Sequence, residues 1–173
     1  MPPYSLAFAT LALALSTLTA VASGTHSGGH AAMTGQPGDP ARADRIVEIS
    51  MTEMAFRPTR IQVAEGETIT FVVRNDGTVM HEFNLGTTET WQVHADEMMK
   101  MMKTGMMTAE KLDHHKMMQA GMMHHDANSV LLEPGQNGKV TWTFGEKVDL
   151  GFACNVPGHR ESGLVGDVVF MGL

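Results

Sequence analysis

Cysteine is nearly absent: Cys154 is the only one in 173 residues. A lone cysteine forms no intrachain disulfide, so covalent staples play no part in holding this chain together. Basic residues are also few, with 12 Lys and Arg against 19 Asp and Glu and a formal charge of −7. That balance, without a clustered basic patch, excludes the usual nucleic-acid binder. No GxGxxG or P-loop pattern occurs, and no internal repeat. Beyond the first twenty residues no stretch is long and apolar enough to span a bilayer. The length suits one domain with additions.

What is present begins at the N-terminus. Leu6 to Ala20 is apolar or small apart from Ser16, Thr10, Thr17 and Thr19, and Ala20-Val21-Ala22 satisfies a small-x-small cleavage rule. Residues 1–22 therefore read as a signal peptide, although no Lys or Arg precedes the apolar run, and the expected location is the periplasm. Residues 23–43, rich in Gly, Ala, Ser, Thr and Pro, read as a flexible linker. From Asp44 short alternating runs take over: 45–50, 60–63, 68–74, 81–85, 129–132, 139–144, 152–156 and 164–171. Turn signals such as Asn75-Asp76-Gly77 and Pro134-Gly135 lie between them. Strands of this length and spacing predict an antiparallel β-sandwich over 44–173.

Within this pattern the segment from Gly151 to Leu164 stands out. Cys154 lies five residues before His159 on a loop tightened by Pro157-Gly158, and His81 opens a strand-like run far upstream. One thiolate and two imidazoles are the equatorial ligand set of a mononuclear electron-transfer copper site, usually with a weak fourth ligand on the axis. Taken singly, Cys154 would be read as a small buried thiol and each histidine as an ordinary polar side chain. The joint spacing favours copper.

Residues 87–127 break the strand pattern and form an insertion. Between 94 and 125 there are ten methionines (Met98, Met99, Met101, Met102, Met106, Met107, Met117, Met118, Met122 and Met123) and five histidines (His94, His114, His115, His124 and His125). Two helices are expected, one over about 89–103, the other following Thr108 as N-cap and stopping near Gly121. Methionine at helical spacing is ordinarily core packing. Here Leu112 is the sole large branched aliphatic and no aromatic is present, whereas a packed core is built mainly from Leu, Ile and Phe. Thioethers select Cu(I) and imidazole takes either copper state, so the segment reads as an auxiliary copper-binding arm, with core packing and an adaptable partner surface as the alternatives.

Met54-Ala-Phe-Arg-Pro, Ile61-x-Val-x-x-Gly66, Thr68 to Asn75, His81-Glu-Phe-x-Leu-Gly86 and Cys154-x-x-Pro-Gly-His159 together resemble the cupredoxins, over about 44–86 and 128–173. The resemblance implies a Greek-key β-sandwich with a type 1 copper site on His81, Cys154 and His159. It also implies a methionine four or five residues after the loop histidine, where this chain has Gly163 and Leu164. Leucine donates nothing, so a three-coordinate or weakly four-coordinate site of raised potential is expected. The Met/His insertion makes the chain similar to the periplasmic copper-tolerance cupredoxins of the CopI type. The implied function is copper binding in tolerance and homeostasis, with copper ions and a redox or copper-transport protein as partners. The alternative is an electron carrier of a respiratory chain. An enzyme is not expected, since multicopper oxidases and copper nitrite reductases use several such domains; oxidation of cuprous ion at the single site is the one enzymatic reading left open.

Overall fold

The computed structural model describes residues 34–122 and 126–172. The expected signal peptide, the first part of the linker, and Met123, His124 and His125 of the arm lie outside the described residues. Among the described residues ten strands form two five-stranded sheets. In chain order they are β1 (Gly35–Pro37), β2 (Arg45–Thr52), β3 (Ala55–Arg57), β4 (Arg60–Val63), β5 (Thr68–Asn75), β6 (His81–Gly86), β7 (Ser129–Leu132), β8 (Asn137–Phe144), β9 (Gly151–Ala153) and β10 (Val165–Phe170). One sheet runs β1-β8-β5-β2-β3 and the other β4-β10-β9-β6-β7.

The sandwich expected from the alternating runs is present, with two corrections. It is mixed, because β2 pairs with β5, and β4 with β10, in parallel. Parallel neighbours need crossover connections between the sheets, which alternation within single strands cannot reveal. The linker boundary also moves. Gly35–Pro37 pairs antiparallel with β8, and Pro40–Arg42 forms a 3-10 turn capped by Asp39. Trp142 Nε1 donates to the Thr34 carbonyl at 3.1 Å. Small and proline-rich composition hid this edge strand.

The two inner faces meet on a cluster of phenylalanines. Phe83 lies 5.1 Å from Phe71, 5.4 Å from Phe152 and 6.2 Å from Phe56, centroid to centroid. Offset and edge-on contacts of this kind add to the burial of large apolar area. Period-two alternation explains which residues arrive there: Ile69, Phe71 and Val73 from β5, and Phe83 and Leu85 from β6.

β6 differs from an ordinary sandwich strand in being buried along its whole length. Its outer face is covered by α1 (Thr88–Lys103), the first helix of the insertion. Thr87 starts the helix with a reciprocal cap: its hydroxyl accepts from Thr90 N, and Thr90 Oγ1 accepts from Thr87 N. Lys100 and Lys103 complement the negative end of the helix, and Gly105 turns the chain away at φ +68°. Trp91 seats α1 on the sheet and donates to the Asn84 carbonyl at 3.3 Å. The seat requires two glycines: a Cβ on Gly86 would come within 2.7 Å of Trp91 Nε1, and one on Gly151 within 2.9 Å of the indole ring.

The second helix is shorter and later than expected. α2 spans His114–Gln119 with Asp113 as its cap. Thr108 does accept the N–H groups of Glu110 and Lys111, but the turn it heads closes on itself, with Met107 bridged to Leu112. The capping signal was real and belonged to a turn. Phe83→Ala removes the ring shared by both sheets and is expected to destabilise the protein by about 3–5 kcal/mol, read as a shift in the urea midpoint at unchanged slope.

Candidate metal centre

His81 begins β6, Cys154 follows the last residue of β9, and His159 lies on the loop leading to β10. Because β9 lies between β6 and β10 in one sheet, three residues far apart in the chain arrive at the same end of the sandwich. Their donor atoms all fall within 4.8 Å of one another. Cys154 Sγ and His159 Nδ1 are 3.5 Å apart, and the two imidazole rings are 5.0 Å apart between centroids. The loop is short and internally bonded. His159 N donates to the Val156 carbonyl, Leu164 N to the His159 carbonyl at 3.0 Å, and Cys154 N to the Leu164 carbonyl at 3.1 Å. Gly158 takes φ +88°, the left-handed turn that its position after Pro157 demands.

His81 and Cys154 are buried, and His159 is partly so. His81 is fully buried, and neither ring nitrogen has a hydrogen-bond partner. A buried polar atom left in that state costs about 1–3 kcal/mol, a penalty that a metal on the ring relieves. Burial holds the pKa of His81 below its ordinary value, helped by the neighbouring His159. Burial does the same to His159. Both rings are therefore neutral, as ligation requires. Burial pushes the Cys154 thiol up to about 12, with the charge of Glu82 adding to it. A soft sulfur and two neutral imidazoles, with no water-bearing carboxylate among them, match copper.

Leu164 is fully buried in the core beside Cys154, tied through its backbone to Cys154 and His159, and offers no donor. Met171 is half exposed at the far end of β10. Met80 is buried among the methionines of the insertion.

Glu82 is the residue that the sequence reading missed. Its carboxylate is buried at 1% exposure on the outer face of β6. Oε1 accepts from His94 Nε2 at 2.7 Å and from Ser129 Oγ at 2.7 Å; Oε2 accepts from Asn155 N at 3.2 Å and Asn155 Nδ2 at 2.9 Å. Its own backbone N–H points at Cys154 Sγ at 3.3 Å. One residue thus binds the Cys154 thiol, the residue after it, and helix α1. The signal available was an acidic residue inside an otherwise apolar strand, a pattern that calls for a buried partner.

The same contacts show where His94 lies. Expected as an auxiliary copper ligand, it has Nε2 on Glu82 and Nδ1 3.3 Å from Glu97 Oε2. Of the remaining arm residues, Met98, Met101, Met107 and Met117 gather with Met80 into one buried cluster, against which Met102, Met106 and Met122 pack. Met99, Met118, His114 and His115 are exposed.

A two-sheet sandwich with a Cys and two His converging between strand ends defines a cupredoxin. The fold agrees with solved structures: auracyanin B matches with a TM-score of 0.58 at 16% identity, over 80% of this chain and 97% of that one. Reduced auracyanin from Roseiflexus castenholzii matches at 0.51 and 21% identity, over 75% and 99%. The family model for copper binding proteins of the plastocyanin/azurin family matches residues 43–171, and this chain belongs to that family. It is similar to the copper-resistant cuproprotein CopI of Pseudomonas aeruginosa, 41% identical over 85% of this chain and 87% of the relative. It is also similar to the protein of that name from Rubrivivax gelatinosus, 38% identical over 83% and 79%. Copper is accordingly its cofactor.

Burial opposes charge on His94, but the hydrogen bond and charge of Glu82 outweigh it, with Asp126 and Glu97 adding, and raise its pKa from 6.5 to about 9. Burial likewise opposes ionisation of Glu82, and the bonds from His94, Ser129 and Asn155 bring its pKa below 4.5. A raised histidine stabilises fully below its unfolded value and loses that contribution as pH climbs through its folded one. Metal-free protein is therefore expected to lose thermal stability between pH 6.5 and about 9. His94→Gln should flatten that slope while lowering the melting temperature at pH 6.

Proposed function

We propose that this chain is an exported, periplasmic copper-tolerance protein. In this reading it holds copper on His81, Cys154 and His159 and takes further Cu(I) on the methionine cluster of its insertion. It binds and transfers copper without turning over a substrate. The apolar run at 6–20 followed by Ala20-Val21-Ala22 supports export. The names of the relatives support copper resistance. Bound copper would supply one-electron exchange; the chain's part is to fix two imidazoles and a thiolate in a rigid, dry frame and to leave His159 partly exposed toward a partner.

One observation carries the auxiliary role. The insertion packs onto the strand that begins with His81, and the cluster it builds there contains Met80, the residue beside that ligand. Five buried methionines come from four separate stretches of chain, with Leu112 and Leu131 only at the margin. Thioethers so gathered suit a soft monovalent ion.

Deleting the insertion would also strip Glu82 of His94 and uncover Met80, so substitution is the cleaner test. Leu replaces Met at nearly constant volume, at under about 1.5 kcal/mol per site. Changing Met98, Met101, Met107 and Met117 together to Leu should leave the intense thiolate-to-copper absorption intact, remove Cu(I) equivalents beyond the first, and reduce growth in copper. Unchanged Cu(I) stoichiometry would return the cluster to plain packing. The electron-carrier reading, favoured by the partly exposed His159, predicts unaltered copper tolerance in the same variant.

Leu164 gives a separate expectation. Leu164→Met supplies a thioether at the expected axial place and should lower the reduction potential by roughly 59 mV, a tenfold change in the Cu(II) to Cu(I) affinity ratio. Spectroelectrochemical titration measures this; a potential that stays put or rises would show that Leu164 does not face the metal.

A further inference from the structure

Glu53 stands on the two-residue turn between β2 and β3, in the sheet opposite His81. Its Oε1 accepts the backbone N–H groups of Thr78 and Val79 and the Thr78 hydroxyl, so the carboxylate is fixed in place although its side chain is 40% exposed. The same oxygen lies 3.8 Å from His81 Nε2. No lysine or arginine pairs with it among the described residues, and it faces the neutral His81 ring. Room for the approach comes from Gly77, where a Cβ would lie 2.6 Å from Glu53 Oε1 and 2.9 Å from His81 Nε2. Nε2 thus faces the carboxylate, and Nδ1 is the nitrogen left for Cys154 and His159. Glu53 itself is outside the group of converging donors.

Resting on the ligand assignment above, we infer that Glu53 is a positioning residue for the copper site, an uncompensated carboxylate behind His81 that favours the oxidised metal and offsets the missing axial donor. Two physical effects act in the same direction. An anion behind a ligating imidazole orients the ring and raises its basicity, which strengthens binding to the harder, more highly charged ion. A fixed negative charge 3.8 Å from a buried ring also stabilises Cu(II) over Cu(I) through space, with solvent on its exposed side screening part of the effect. Glu82, the other carboxylate beside the ligands, is balanced by His94. Glu161, which also acts on Cys154 and His159, is exposed and lies 3.6 Å from the Arg160 guanidinium, so Glu53 is the carboxylate at the site without a basic partner among the described residues. Leu164 pulls the potential up and Glu53 pulls it down, so the centre retains Cu(II) without a thioether on its axis.

Glu53→Gln tests this with little structural change, because the amide oxygen can still accept from Thr78 and Val79 while the charge is gone. Copper(II) and copper(I) affinities are measured by competition, and the potential by redox titration. The expected result is a loss of about tenfold in Cu(II) affinity, with Cu(I) affinity held within about twofold and a rise in potential near 59 mV. Gly77→Ala, which pushes the carboxylate and ring apart with the charge retained, should move the potential in the same direction. Equal losses of both affinities in both variants would reduce Glu53 to a loop staple, and an unchanged potential would overturn the proposal outright. The wild-type spectrum separates these failures from failure of the ligand assignment, which alone predicts its thiolate-to-copper band.

Discussion

The buried carboxylate of Glu82 is the constraint on which the rest of this structure depends. It joins four separate pieces of chain: β6 itself, Ser129 of β7, Asn155 of the ligand loop and His94 of the inserted helix. A buried ion pair contributes little net stability as a pair, yet removing one partner costs about 3–5 kcal/mol, because the other charge is stranded. Once β6 carries a glutamate on its outer face, something must cover that face and neutralise the charge. Helix α1 does both. The insertion is therefore a structural component of the copper domain, and the domain's ligand strand is correct only with the helix in place.

That dependence explains why β6 is two strands in one. Inward, His81, Phe83 and Leu85 alternate onto the ligand site and the phenylalanine core, as period-two geometry requires. Outward, Met80, Glu82, Asn84 and Gly86 meet the methionine cluster, His94 and Trp91 in turn. His81 of the metal-centre group and the Met80 thioether are thus adjacent in sequence and on opposite sides of the sheet. Met80 N donating to the Ala109 carbonyl, and Leu112 N to Glu133, fasten the loop of the insertion over the same strand.

The sequence marked the three residues that the fold brings together, His81, Cys154 and His159, because rare residue types at tight spacing stand out, and Cys154, Pro157, Gly158 and His159 supply that locally. It also exposed the strands whose faces alternate strictly. It concealed whatever depends on residues meeting through the fold. The edge strand at Gly35–Pro37 has no alternation, and its pairing with β8 is a tertiary fact. Thr108 signalled a cap correctly, but a capping threonine serves a turn as well as a helix. Composition alone groups His94 with the other arm histidines, and only the packed helix shows that its two nitrogens lie against carboxylates. Glu53 left no trace, because its relation to His81 spans 28 positions and two sheets.

Charge placement around the ligands follows from the same geometry. A cupredoxin site is rigid, so its preference between copper states is set by what surrounds the ligands more than by ligand movement. Here two carboxylates approach from opposite sides. One is deep, bonded on both oxygens and neutralised by a histidine whose pKa is raised to about 9. The other is half exposed, held by two backbone N–H groups and a hydroxyl, and faces the first imidazole without a countercharge. The first fixes where the loop sits and the second biases the charge that the site prefers. A shuttle has to release its electron readily in both directions, whereas a protein that retains copper gains from a fixed anion behind a ligand. The absence of a thioether at Leu164 and the presence of carboxylate at Glu53 are then two halves of one adjustment. The soft donors missing from the axis are found instead in the methionine cluster on the other face of the same strand.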